Sequence, residues 1–151
     1  MPTKFPLQPL LDLANTRMDE AARRLGELIA SERGVQQKLE LLQRYRAEYG
    51  ERFREAARGG IDLNAMRNYS AFLGRLDEAI EVQRRAVEES HQHTTQGQQQ
   101  WIAQRSKVRA FDTLAHRHQN TLARVALRQE QRATDEHAAR RFREKNEDTE
   151  R

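Results

Sequence analysis

Four of the five histidines fall in two i, i+2 pairs, His91/His93 and His116/His118, and these are the side chains best suited to metal or proton chemistry. A metal needs ligands that converge from one helix face, as i, i+4 histidines do, whereas i, i+2 neighbours point to different faces. Cysteine is absent, which removes thiolate ligands, thiol nucleophiles and disulfides together and points to a reducing compartment. The chain has no glycine-rich phosphate loop and no nucleophile elbow. Carboxylates abound, but on a solvated surface nothing shifts their proton affinities toward catalysis. The sequence therefore predicts no catalytic residue, no metal and no cofactor. The chemistry left to it is binding.

The elements that must present such binding surfaces are legible in the spacing of apolar residues. From Leu11, steps of three and four reach Ala14, Met18, Ala21, Leu25, Leu28, Val35, Leu39, Leu42, Tyr49, Phe53 and Ala56, and only Glu32 and Arg46 interrupt the series. A 3.5-residue repeat sustained this long makes a stripe that stays on one side of a helix supercoiled around a partner. With 36% hydrophobic and 33% charged residues, and a mean hydropathy of −1.02, the chain suits a narrow seam and not a thick core. All three prolines lie within the first nine residues. Since a helix-interior proline costs about 3 kcal/mol, the rest is free to be helical.

The expected organisation is an all-α fold: a long antiparallel two-helix coiled-coil hairpin whose second helix is longer than the first. Residues 1–9 are expected as an N-terminal arm, 10–57 as helix one, 58–63 as the turn and 64–142 as helix two, with a disordered tail at 143–151. Gly59-Gly60 permits a helix C-terminus, and Asp62 or Asn64 can cap the next helix. The second seam runs from Tyr69 through Leu73, Leu76, Ile80, Gln83 and Val87 to Trp101, Val108, Phe111, His118, Leu122 and Val125. Its middle, Ser90 to Gln100, is polar and is expected to be the loosest part. A short connection forces the helices antiparallel. Facing residues then have numbers summing to about 121 or 122, so that Leu25 lies near Gly97. Helix two overhangs from about Thr113, leaving an unpaired stripe with Leu114, Leu122, Val125 and Ala126 for a partner.

Two further clusters stand out. Tyr45 and Tyr49 share an axial level with Phe72 and Leu76, and the pair 42/79 obeys the same sum. Two readings stand here: a broad core closing the hairpin, or a half-exposed patch that docks a protein. The second cluster is basic: residues 101–132 hold seven Lys or Arg against Asp112 and Glu130, with Arg117, Arg124 and Arg128 at helical spacing. A solvated charged face is one explanation and docking onto an acidic surface the other. Nucleic acid is disfavoured, because no stacking platform or fold signature accompanies the stripe. The N-terminus has no apolar signal region, and no segment approaches the ~20 apolar residues of a membrane span. The expected location is the cytoplasm.

Several segments together resemble the FliJ family of flagellar export proteins: Leu13-Ala14, Ala21-Ala22-Arg23-Arg24-Leu25-Gly26-Glu27, Tyr45-x-x-Glu48-Tyr49, Asn68-Tyr69-x-x-Phe72-Leu73-x-x-Leu76-Asp77-x-Ala79-Ile80 and the single Trp101. The resemblance spans nearly the whole chain. It implies a coiled coil similar to the stalk of rotary ATPases, which inserts in the hexameric flagellar export ATPase. It also implies contact with the cytoplasmic domain of the export gate, escort of flagellar export chaperones, and a peripheral place at the inner membrane through these partners. The family's gate-contacting patch maps onto Leu42, Tyr45, Tyr49, Phe72, Leu76 and Ala79, with Lys38 and Gln83 departing from its pattern. The resemblance favours the binding reading of the aromatic cluster. Arg117, Leu122, Arg124, Val125 and Arg128 are the expected contacts to the ATPase ring. The rival readings are a generic coiled-coil scaffold and a basic nucleic-acid-binding rod.

Overall fold

A computed structural model describes residues 4–150. Two helices account for nearly all of it: α1, Gln8–Gly59, and α2, Leu63–Glu150. They pack antiparallel, and α2 is the longer, so the hairpin read from the seam is the fold.

The seam is the buried line. Every fourth or third residue of α1 from Leu11 to Ala56 is buried or half-buried, including Glu32 and Arg46, and the same holds on α2 from Tyr69 to Leu122. Leu11, Ala14, Leu39, Ile80 and Val108 are the most enclosed apolar side chains. No large side chain is fully enclosed among the described residues, as expected where two helices share one contact line.

The turn is set by two residues. Gly60 takes φ +83°, a left-handed conformation that costs glycine no Cβ clash, and its N–H reaches the carbonyl of Ala57 at 3.3 Å. Asp62 then caps α2: its Oδ1 accepts from the N–H of Ala65 at 2.7 Å, and its carbonyl accepts from Met66. Of the two capping candidates, Asp62 takes the role.

The helix ends differ from the sequence expectation: the turn shortens from 58–63 to 60–62, and both outer ends extend. Helix α1 starts at Gln8, because Pro9 falls in the first turn, where the missing N–H has no intrahelical partner to lose. Residues 143–150, expected as a disordered tail, continue α2. Periodicity is needed for packing but not for helicity, and Arg, Glu, Lys and Ala propagate a helix once it is nucleated. Finally, α2 is unbroken through the polar stretch from Ser90 to Gln100.

Side-chain hydrogen bonds to the opposite backbone, from Thr94 within that stretch and from Gln83 just before it, tie the helices together there, and Thr94 also bonds back to its own helix. Thr94 donates to the carbonyls of Leu28 at 3.4 Å and Ser90 at 3.1 Å, and Gln83 donates to the carbonyl of Val35 at 2.9 Å. Gly97 lets the helices close up: a Cβ there would sit 2.6 Å from Leu28 Cδ1 and 3.7 Å from Leu25 Cδ1. The apolar deficit is offset by close approach.

The chain forms two compact units, one of Arg17–Gln104 and one joining the segment up to Thr16 with the segment from Arg105 onward. In the second unit the arm continues the pairing, with the Phe5 ring 5.7 Å from that of His118. The free part of α2 therefore begins after Leu122 and not near Thr113; Ala115, His118 and Leu122 are half-buried.

Candidate partner-binding surfaces

The aromatic cluster lies in the unit that holds the turn. Tyr49 and Phe72 meet across the seam with ring centroids 4.5 Å apart, and Phe53 and Tyr69 do so at 5.6 Å. Both pairs are tilted, the arrangement that sets a ring edge toward a ring face. Arg52 places its guanidinium 5.1 Å from the Tyr49 ring centroid, a cation–π contact three residues along the same helix. Tyr49, Phe72, Ala65, Asn68 and Tyr69 line a shallow, mainly apolar concavity of about 290 Å³.

Of the six residues expected to bind the gate, Leu42, Tyr49, Leu76 and Ala79 are half-buried seam residues or their neighbours. Tyr45 and Phe72 project: they are 46% and 36% exposed. Each precedes by one a seam residue, Arg46 or Leu73. In an antiparallel pair this puts them on one flank, in rows that recur every seven residues. On α1 that row is Arg17, Arg24, Ser31, Lys38, Tyr45 and Arg52; on α2 it is Phe72, Ala79, Ala86, His93 and Gln100. Neither row contains a carboxylate. Lys38 is an exposed member of it, while Gln83 is 8% exposed and turned into the seam, so only Lys38 remains at the surface.

The seam's charged residues, read from the sequence as interruptions, are cross-links. Arg46 Nε donates to Asp77 Oδ1 at 2.8 Å, and His91 Nδ1 lies 2.9 Å from Glu32 Oε1. The His91 hydrogen bond, with help from Thr94, holds the Glu32 carboxyl below its ordinary range against the opposing effect of desolvation. Both pairs fall within one or two residues of the antiparallel sum, so their level, though not their bonding, follows from it. The remaining histidines form no ligand set: among the described residues no group of three His, Asp or Glu is placed to hold a metal ion.

The second surface is the free portion of α2. Val125 is 44% exposed and shares a recess of about 210 Å³ with Arg128, Gln129 and Arg132. The structure thus brings Val125 and Arg128 together. Arg117 and Arg124 are exposed on another row, and Leu122 is half-buried in the seam instead of free. Arg132, a member of the basic stripe in the sequence, continues the line at i, i+4 from Arg128, and sequence reasoning missed the exposed apolar side chains of Leu127 and Phe142. No helix among the described residues is long and apolar enough to cross a membrane.

Comparison with known proteins gives these surfaces a context. The family described as "Flagellar FliJ protein" matches residues 3–147. A flagellar FliJ protein of Salmonella typhi is 30% identical over 134 residues, which cover 89% of this chain and 91% of that protein. One from Escherichia coli (strain K12) is 28% identical over 134 residues with the same coverage. No solved structure matches the chain significantly. A helical hairpin with the seam and aromatic pairs described, matched by the family over nearly its full length, belongs to the FliJ family of flagellar proteins.

Proposed function

We propose that this chain is a non-enzymatic coupling factor of flagellar protein export, joining the hexameric export ATPase to the cytoplasmic domain of the export gate and escorting export chaperones. Family membership supports the coarse part, a component of flagellar protein export. The finer part is supported by two surfaces of different chemistry, one in each compact unit. The patch beside the turn, with Leu42, Tyr45, Tyr49, Phe72, Leu76 and Ala79, is apolar and aromatic and suits a protein interface on the gate. The free stretch of α2, with Val125, Arg128 and the basic residues Arg117 and Arg124, suits the acidic lining of a ring. Such a partner sits at the cytoplasmic face of the membrane through its contacts, without inserting.

The observation that carries this reading is that α2 continues as a single exposed helix beyond Leu122 while retaining an apolar residue, Val125, on the line of the seam. A lone helix inside a six-fold ring cannot touch all subunits alike, so it biases their states by differential affinity. Val125→Glu tests it, because Val125 is 44% exposed and lies beyond the last half-buried seam residue, Leu122, among the described residues. Stimulation of purified export ATPase should fall severalfold while binding to purified gate domain stays unchanged. Unaltered stimulation would remove the ring contact from the proposal.

A further inference from the structure

We propose that the N-terminal arm is a releasable strap on α2, an autoinhibitory contact that covers the seam line just ahead of the free stretch. The Phe5 ring lies against that of His118, 5.7 Å between centroids, within the unit that joins the segment up to Thr16 with the segment from Arg105 onward. His118 belongs to the line Ala115, His118, Leu122 and Val125, the last of which is 44% exposed.

Local chemistry makes the strap separable from the hairpin. Pro6 lacks an N–H and keeps Phe5 out of the helical region, so the arm cannot join α1 as further turns of helix. Instead the carbonyl of Phe5 accepts from the N–H of Gln8 at 3.1 Å, which makes the hinge a turn. Lys4, Phe5, Gln8, Pro9 and Asp12 line a mainly apolar recess of about 500 Å³, so the arm stands off the first turns of α1. Among the described residues, no hydrogen bond or ion pair joins residues 4–7 to α2. Apolar and aromatic contact fastens the strap, and a partner's apolar side chain can replace it.

Closure also has a cost. His118 Nε2 is enclosed and has no hydrogen-bond partner, and either tautomer leaves that nitrogen unmatched. A docked segment that contributes no polar bond of its own belongs to the low-stability end of a fold, where local opening needs little. When the strap lifts, the exposed line extends back from Val125 to His118, about 10 Å along the helix. A ring that grips Val125 reaches that added length next. The autoinhibition therefore rests on the ATPase contact proposed above, whereas the opening of the strap does not.

The chain has no cysteine, so Lys4→Cys with Gln119→Cys, both at exposed positions, gives a unique pair for spin labels on the full chain. Electron paramagnetic resonance should find a short distance predominating. Phe5→Ala should shift the population to a longer, broader distance with the melting temperature unchanged. His118→Leu should narrow it toward the short distance, because it removes the orphaned nitrogen and keeps an apolar surface for Phe5. A long distance alone in the unsubstituted arm, a short one that survives Phe5→Ala, or opening by His118→Leu would each overturn the strap. Bridging the two cysteines with a bifunctional thiol reagent should lower stimulation of purified export ATPase severalfold relative to the same chain with each thiol capped singly. Full stimulation by the bridged chain, where Val125→Glu still lowers it, would overturn the autoinhibition and leave the ATPase contact standing. Full stimulation by both would overturn both.

Discussion

Leu28 occupies the space that a side chain at residue 97 would need: a Cβ on Gly97 would come within 2.6 Å of Leu28 Cδ1. The same operation at Gly74 meets nothing within 4 Å. Replacing a helical glycine by alanine ordinarily stabilises by about 1 kcal/mol, whereas overpacking a contact costs about 1–3 kcal/mol. Gly74→Ala should therefore raise the denaturation midpoint and Gly97→Ala lower it, measured by urea unfolding followed by circular dichroism. Equal effects from the two would mean that the helices do not close at Gly97.

The Glu32–His91 bond makes part of the stability pH-dependent. The folded carboxyl lies below its ordinary value of 4.5, so its contribution is present above that value and is lost as pH falls through the folded value. The difference in melting temperature between the native chain and Glu32→Gln should be present near about pH 6 and shrink progressively as the pH is taken down below the ordinary value of 4.5. His91→Ala should reduce that difference, because the His91 hydrogen bond is the largest cause of the shift.

Tyr49 and Phe72 should be energetically coupled. A double-mutant cycle with Tyr49→Leu and Phe72→Leu is expected to give about 0.5–1.5 kcal/mol of interaction in thermal unfolding, beyond the loss of buried area. Tyr45, exposed beside them, separates binding from folding. Tyr45→Ala should leave the melting temperature within about a degree or two and lower affinity for the gate domain by about tenfold or more, as truncation of an interface aromatic does. Calorimetric titration with purified gate domain reads this directly.

Charge reversal at Arg117, Arg124 and Arg128 should weaken stimulation of the export ATPase, most at low ionic strength, and the loss should shrink as salt screens these exposed charges. Arg128→Glu should have the largest single effect, because Arg128 shares its recess with the exposed Val125. If all three reversals leave stimulation intact at low salt, the basic row plays no part in the ring.

Much of the fold was legible because it depends on one periodic signal. The seam residues follow a step that only a helix with a helical partner can bury, the prolines are confined to the first nine residues, and Gly60 and Asp62 supply the turn between the two described helices. The aromatic cluster was legible for the same reason: once the helices are antiparallel, residues at one axial level follow by subtraction.

The tertiary structure decided what depends on the distance between the helices. Glu32 and Arg46 are faults in a single helix and become cross-links only when His91 and Asp77 arrive from the other. Thr94 and Gln83 look like weak seam positions until the carbonyls of Leu28 and Val35 come within reach. The free part of α2 starts after Leu122 because Phe5 packs on His118, and a short arm before a helix carries no periodicity to announce that contact. Periodicity along a chain reports which side is covered; only the packed pair sets which polar atoms that cover satisfies, since hydrogen bonding is decided over tenths of an ångström.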